Sequence, residues 1–168
     1  MNNPSRKQLP RLVFLLMAMR WPLAFWFVQN FIKKYIPNLT WNSSFSYGFE
    51  CQFGNINAHN VWLGDTIFND HEFVNIWAGT RFSAGNRVIT GVHDLYDFGI
   101  CHNKEINIGK NCWITTWCII LAGVNIWDNV IIWAWSVVKS DIPSNCVAAW
   151  NPCVVVKQID PNKIKIYE

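Results

Sequence analysis

The sequence predicts an all-β fold, a three-sided parallel β-helix built from six-residue repeats, and three observations carry that prediction. From Ile108 onward every sixth residue is aliphatic: Ile108, Ile114, Ile120, Ile126, Ile132 and Val138. Two positions earlier runs a second column of small or apolar residues, Ile106, Cys112, Cys118, Val124, Val130 and Ser136. Upstream the register returns at Ile76, Phe82 and Val88, followed by the turn pairs Ala78-Gly79 and Ala84-Gly85.

A period of six excludes an α-helix, because a 3.6-residue turn would wind the column around every face. Short extended segments alternating with tight turns fit it. Each aliphatic residue then points inward from one face of a triangular prism, and each coil stacks on the next through parallel ladder hydrogen bonds. Between Phe53 and Phe68 no register holds.

The 168 residues suit a single domain with a sizeable core. With 51% hydrophobic and 15% charged residues, long disordered tracts are excluded. The net charge of +3 is mild and the Lys and Arg residues are scattered, so no nucleic acid is expected as a partner. The six cysteines show no CxxC and no pairing frame, and Cys112 and Cys118 fall in the core columns. Buried thiols in a reducing, cytoplasmic compartment fit that usage.

Residues 12–32 are apolar but divided by Arg20 and Pro22, and the unbroken run 12–19 is far short of the roughly 20 residues needed to span a bilayer. No small-residue cleavage site follows the run, which argues against a signal peptide. Two readings stay open. One is a helical cap on the domain. The other is an interfacial helix over residues 12–34, with Trp21, Phe25, Trp26, Phe27 and Phe31 at a membrane surface and Lys33 and Lys34 at its edge. The expected organisation is an N-terminal apolar, helical segment over 1–47, a β-helix over 48–145 with an excursion at 89–105, and a C-terminal extension over 146–168.

The stretches INIGKNCWI, CIILAGVNI, DNVIIWAWSVV and SDIPSNCVAAWNP resemble the carboxy-terminal half of the hexapeptide-repeat acetyltransferases, of the galactoside, maltose and polysaccharide O-acetyltransferase type. The resemblance covers about residues 48 to 160 and is strongest from His93 to Gln158. It implies a left-handed β-helix, a homotrimer with active sites between subunits, acetyl-CoA as acyl donor, and a saccharide hydroxyl as acceptor, with a place in polysaccharide biosynthesis at the cell surface.

One departure from that family is systematic. Eleven Trp stand against nine Gly. Trp77, Trp127 and Trp133 occupy the turn position that Gly109 holds once, Trp117 and Trp135 a second turn column, and Trp150 the place before Asn-Pro; the family has Gly at such turns. Turns of this kind often need φ > 0, which Gly adopts freely and an indole-bearing residue does not. Two explanations stand: aromatic-rich turns in a divergent protein, or UGA codons that the source cell reads as glycine. Trp62 and Trp113 precede inward positions, where the family itself has Trp, and read as ordinary tryptophans.

The repeat breaks between Val88 and Ile106, and the intervening segment concentrates His93, Asp94, Asp97, His102 and Glu105. Loops held by a rigid scaffold are a usual seat of catalysis. Thr90-Gly91-Val92-His93 matches the T-x-x-H context of the family's general base, which implies that role for His93. A hydroxyl is a poor nucleophile, and an imidazole suits the removal of its proton. Asp94 or Asp97 either orients His93 or caps the loop as an Asx turn. By resemblance, Thr116, Ala134, Lys139, Ser140 and Lys157 contact the acetyl-CoA. No metal is expected: the trimeric γ-class carbonic anhydrases share the fold, but the nine-residue separation of His93 and His102 lies outside their short ligand spacing. The rival functions are a non-catalytic trimeric β-helix scaffold and a serine acetyltransferase.

Overall fold

The computed structural model describes residues 36, 38–40, 42–46 and 48–163. The expected helical or interfacial segment at 12–34 lies outside them. Among the described residues there is no α-helix, and no helix long and apolar enough to cross a membrane.

Three parallel ladders form the faces of a prism of about six coils, the left-handed β-helix expected from the repeats. The first face stacks β2 (Ile56–Ala58), β4 (Val74–Ile76), β9 (Ile106–Ile108) and β12 (Asn125–Ile126). The second carries β5 (Arg81–Phe82), β10 (Trp113–Ile114), β13 (Val130–Ile132), β15 (Cys146–Ala149) and β16 (Val154–Gln158). The third stacks β1 (Glu50–Cys51), β3 (Ile67–Asn69), β6 (Arg87–Ile89), β11 (Ile119–Ile120) and β14 (Val137–Val138). A two-stranded hairpin, β7 (Gly91–His93) with β8 (Cys101–Asn103), stands outside the prism.

The inward columns fall where the periodicity places them: Ile106 through Val138 and Ser136 are all buried, as are Ile76, Phe82 and Val88. Regular coils repeat after 18 residues, as in the Asn107–Asn125 contact, and the coil holding the excursion repeats after 32, as in Asn75–Asn107. In the first coils the spacing drifts, since Glu50 pairs with Ile67 and Ile67 with Arg87. There aromatic rings replace the aliphatic column. Phe45, Phe49, Phe68 and Phe82 pack in series, with centroids 4.6, 5.7 and 6.1 Å apart.

Polar side chains join the coils. On the first face one continuous amide ladder runs Asn38–Asn57–Asn75–Asn107–Asn125, each Nδ2 donating to the next Oδ1 at 2.6 to 3.0 Å, and it ends on the Asp141 carboxylate. At the far end β16 folds back antiparallel on β15 and closes the second face.

The turns divide the six unusual tryptophans into two groups. Trp117, Trp135 and Trp150 have φ of 59°, 65° and 88°. Trp77, Trp127 and Trp133 lie outside the left-handed region, so the expected need for φ > 0 does not extend to them. They directly follow the inward residues Ile76, Ile126 and Ile132, before the chain makes its turn.

Two measurements probe this architecture. Asp70 is fully buried, and its carboxylate accepts the backbone N–H of Gln52, Phe53 and Asn55 at 2.7, 3.0 and 2.6 Å. Burial raises its pKa, against the opposing pull of those amides. Stranding such donors costs about 1–3 kcal/mol for each fully desolvated one, and these are only partly covered. Asp70→Ala is therefore expected to cost about 2–3 kcal/mol, read as a fall in Tm of roughly 5–10 °C. The cysteines give the second test. Burial pushes the Cys112 and Cys153 thiols up to about 11 and raises those of Cys51, Cys118 and Cys146, whereas Cys101 is exposed on β8. A thiol reagent near neutral pH should label one cysteine, Cys101, in the folded protein and all six after unfolding.

Candidate functional site

The excursion leaves the corner between the third and first faces, and Thr90 clamps its base. The Thr90 side chain is fully buried; its Oγ1 donates to the Asn69 carbonyl at 3.0 Å and accepts the Glu72 N–H at 2.9 Å. Its own carbonyl accepts the N–H of Lys104, where the excursion returns, at 2.9 Å. One residue thus ties both ends of the loop to the coil below. The Thr of the T-G-V-H stretch has a physical role: it sets where the hairpin starts.

From that base β7 and β8 pair antiparallel, placing His93 opposite Cys101 and Val92 opposite His102. The Asp94 N–H donates to the Ile100 carbonyl at 2.9 Å and continues the pairing by one rung. His93 sits at the last rung of β7, exposed, with Nδ1 2.8 Å from the Phe98 carbonyl oxygen. A carbonyl can only accept, so Nδ1 carries the proton of the neutral ring and Nε2 is the basic nitrogen.

Neither aspartate orients His93. Asp94 Oδ1 accepts the Tyr96 and Asp97 N–H groups at 2.8 and 3.1 Å, and its Oδ2 lies 3.1 Å from His102 Nε2. Asp97 Oδ1 accepts the Gly99 N–H at 2.9 Å. Both are loop caps, the Asx-turn alternative. The Tyr96 amide, followed by the His102 side chain and the Asp97 amide, holds the Asp94 carboxyl below its ordinary value. The Phe98 carbonyl is the partner that sequence reasoning missed. Being main-chain, it leaves no residue-type signal, and only the five-residue separation from His93 hints at a loop closing on itself.

The other expected site residues are spread over the borders of the prism. Thr116 and Ala134 lie at the corner between the second and third faces on successive coils, where the Trp135 N–H donates to the Thr116 carbonyl at 3.1 Å. Lys139 and Ser140 follow β14 at the corner between the third and first faces, exposed. This is the edge from which the hairpin leaves, two coils or roughly 10 Å away along the axis. Thr116, Ala134, Lys139 and Ser140 thus flank one face, the third. Lys157 stands apart on β16, paired with Val147 and exposed.

Trp117 and Trp135 project from the same corner as Thr116 and Ala134, with indoles stacked at 5.7 Å and 13°. Among the described residues no group of three or more His, Cys, Asp or Glu side chains is placed to hold a metal ion. What the site offers is an exposed imidazole, oriented by a main-chain carbonyl on a two-stranded hairpin, beside an exposed prism edge. That chemistry suits proton removal from a hydroxyl.

No family model matches the chain. A galactoside O-acetyltransferase of Lactococcus lactis is 31% identical over 151 residues, which cover 83% of this chain and 72% of that protein. The crystal structure of a maltose O-acetyltransferase from Clostridium difficile superposes with a TM-score of 0.83 at 28% identity, over 89% of this chain and 84% of that one. A galactoside acetyltransferase solved in complex with coenzyme A shares the fold, with a TM-score of 0.72 at 24% identity over 94% and 84% of the two chains. With the six-residue columns, the three-faced ladder and the clamped histidine hairpin, these similarities lead to one conclusion: the chain belongs to the hexapeptide-repeat acetyltransferases, of the galactoside and maltose O-acetyltransferase type, and is an acetyltransferase.

Proposed function

We propose that the protein transfers an acetyl group from acetyl-CoA to a hydroxyl of a saccharide, with His93 as general base. The observation that carries this reading is the 2.8 Å contact between His93 Nδ1 and the Phe98 carbonyl, which assigns the ring proton to Nδ1 and leaves Nε2 able to take another. As the acceptor oxygen attacks the thioester carbonyl, its proton passes to Nε2, and as the carbon–sulfur bond breaks Nε2 gives that proton to the departing CoA sulfur, which leaves as the thiol. The names of the L. lactis and C. difficile relatives support a sugar acceptor, and the coenzyme A complex supports the donor.

Thr116, Ala134, Lys139 and Ser140 are the proposed donor contacts along the borders of the third face, and Lys157 supplies a point charge for the nucleotide phosphates. The proposed assembly is a homotrimer. Its support is the apolar hairpin tip, where Leu95, Tyr96 and Phe98 are 81%, 97% and 77% exposed in the single chain. Such a cluster is suited to packing against a second copy, which would also wall the space around His93. A cytoplasmic location, a role in polysaccharide assembly and contact of residues 12–34 with a membrane surface complete the proposal.

His93→Ala should lower kcat by about 10²–10⁴-fold while leaving the KM for acetyl-CoA nearly unchanged, and should abolish the acid-side limb of the pH–rate profile. Retained activity with the limb intact would rule His93 out as the base. No turnover of any sugar by the wild-type protein would favour the scaffold.

The hairpin yields a second expectation. Asp94→Asn keeps an oxygen for the Tyr96 and Asp97 amides and should retain most activity; Asp94→Ala releases both amides and should lower kcat roughly tenfold by letting the Phe98 carbonyl drift from His93. Because the Asp94 carboxyl is held below its ordinary 3.8, its stabilising effect is fully present above that pH and is lost only as pH falls through the depressed value. Opening of the loop is therefore not expected between pH 7 and 5, and Tyr96 amide exchange across that range, staying slow, checks it.

A further inference from the structure

We infer that residues 117, 135 and 150 are glycine in the protein as its own cell makes it, encoded by UGA codons that a glycine-reading translation system does not decode as tryptophan. The inference is independent of the role assigned to His93. It rests on backbone geometry. From Asn111 to Trp135 every sixth residue lies in the left-handed region: Asn111 at 54°, Trp117 at 59°, Gly123 at 82°, Asn129 at 59° and Trp135 at 65°. Trp150 lies there as well, at 88°. Among the described residues every other position with φ in this region is Gly or Asn. Gly carries no penalty there and Asn is the side chain most tolerant of it, whereas for a bulky residue the conformation is an outlier. Three such outliers, all of one residue type and two of them in one column, are not scatter.

The corner between the second and third faces makes the same point on successive coils. The Trp117 N–H donates to the Ala84 carbonyl at 3.0 Å and the Trp135 N–H to the Thr116 carbonyl at 3.1 Å. Gly85, Trp117 and Trp135 are therefore one structural position repeated three times. The Trp117 ring lies so close over Gly85 that a Cβ there would meet it at 2.6 Å. The indoles stay 51% and 71% exposed, stacked on each other.

Trp62 and Trp113 form an internal control. Both have ordinary φ, both precede a buried inward residue (Leu63 and Ile114), and Trp113 Nε1 donates to Ser83 Oγ at 3.0 Å.

Peptide mass spectrometry of the protein isolated from its own cells reads the residues directly. Glycine at 117, 135 and 150, with tryptophan retained at 62 and 113, is the expected result; tryptophan at the three positions overturns the inference. The same geometry is tested on recombinant full-length protein. Each left-handed bulky residue replaced by glycine should raise Tm by roughly 2–4 °C. The triple variant Trp117→Gly, Trp135→Gly, Trp150→Gly should thus melt roughly 6–12 °C higher, while Trp113→Gly melts lower. A triple variant that melts lower than the protein it derives from removes the steric basis of the inference.

Discussion

The corner geometry of the prism governs everything else in this molecule. Most strands are only two or three residues long, so the chain must turn a corner onto the next face every sixth residue, and over 111–135 it does so through one left-handed residue per turn. That choice leaves the residue three places earlier extended and pointing inward, which is why Ile108 through Val138 form a single buried column. It also brings consecutive coils into lateral register, so that identical side chains face each other one coil apart. The Asn ladder is the clearest product. An amide donates and accepts at once and can be stacked without limit, whereas the Asp141 carboxylate only accepts and so ends the series.

The same constraint dictates where chemistry can be placed. Within a coil, inward side chains fill the core and the strands spend their backbone groups on neighbouring coils. A functional group needing its own geometry therefore has to leave the prism. The excursion does this at one corner, and Thr90 makes the departure compatible with the stack by satisfying Asn69, Glu72 and Lys104 from a single residue. His93 inherits its position from that clamp and its tautomer from the Phe98 carbonyl. The acid–base function proposed for the ring thus depends on main-chain groups as much as on the imidazole.

How much of this was legible in the sequence follows from the same physics. The coils from Ile106 to Val138 could be read because they repeat after 18 residues, which preserves the hexad phase at every face. The coils before Asn75 could not, since small insertions and deletions shift the phase and phenylalanines substitute ring packing for the aliphatic column. His93 was marked as a candidate by its Thr90 context. Its partner was not, because a carbonyl belongs to every residue alike. The arrangement of Thr116 and Ala134 on one border of the third face, with Lys139 and Ser140 on the other, is invisible along the chain. It appears only when successive coils are superimposed.

The tryptophans show what a repeat can teach that a unique loop cannot. At a single irregular turn a left-handed Trp would be read as local strain maintained for function, a reasonable inference where strained residues cluster at sites. Here the turn is repeated, and the chain supplies its own comparison: Gly85, Gly123, Asn111 and Asn129 perform the same backbone task that Trp117 and Trp135 are asked to perform. Strain kept for function would be confined to the coil that bears the function. It recurs instead on two successive coils of one corner and again at Trp150, beyond β15, while the His93 hairpin contains no left-handed residue at all. Left-handed residues stand at all three corners, at Asn111 and Asn129, at Gly123, and at Trp117 and Trp135. They follow the geometry of the turn even where Thr116 and Ala134 set a proposed donor contact beside it, and the backbone there has the form that glycine takes.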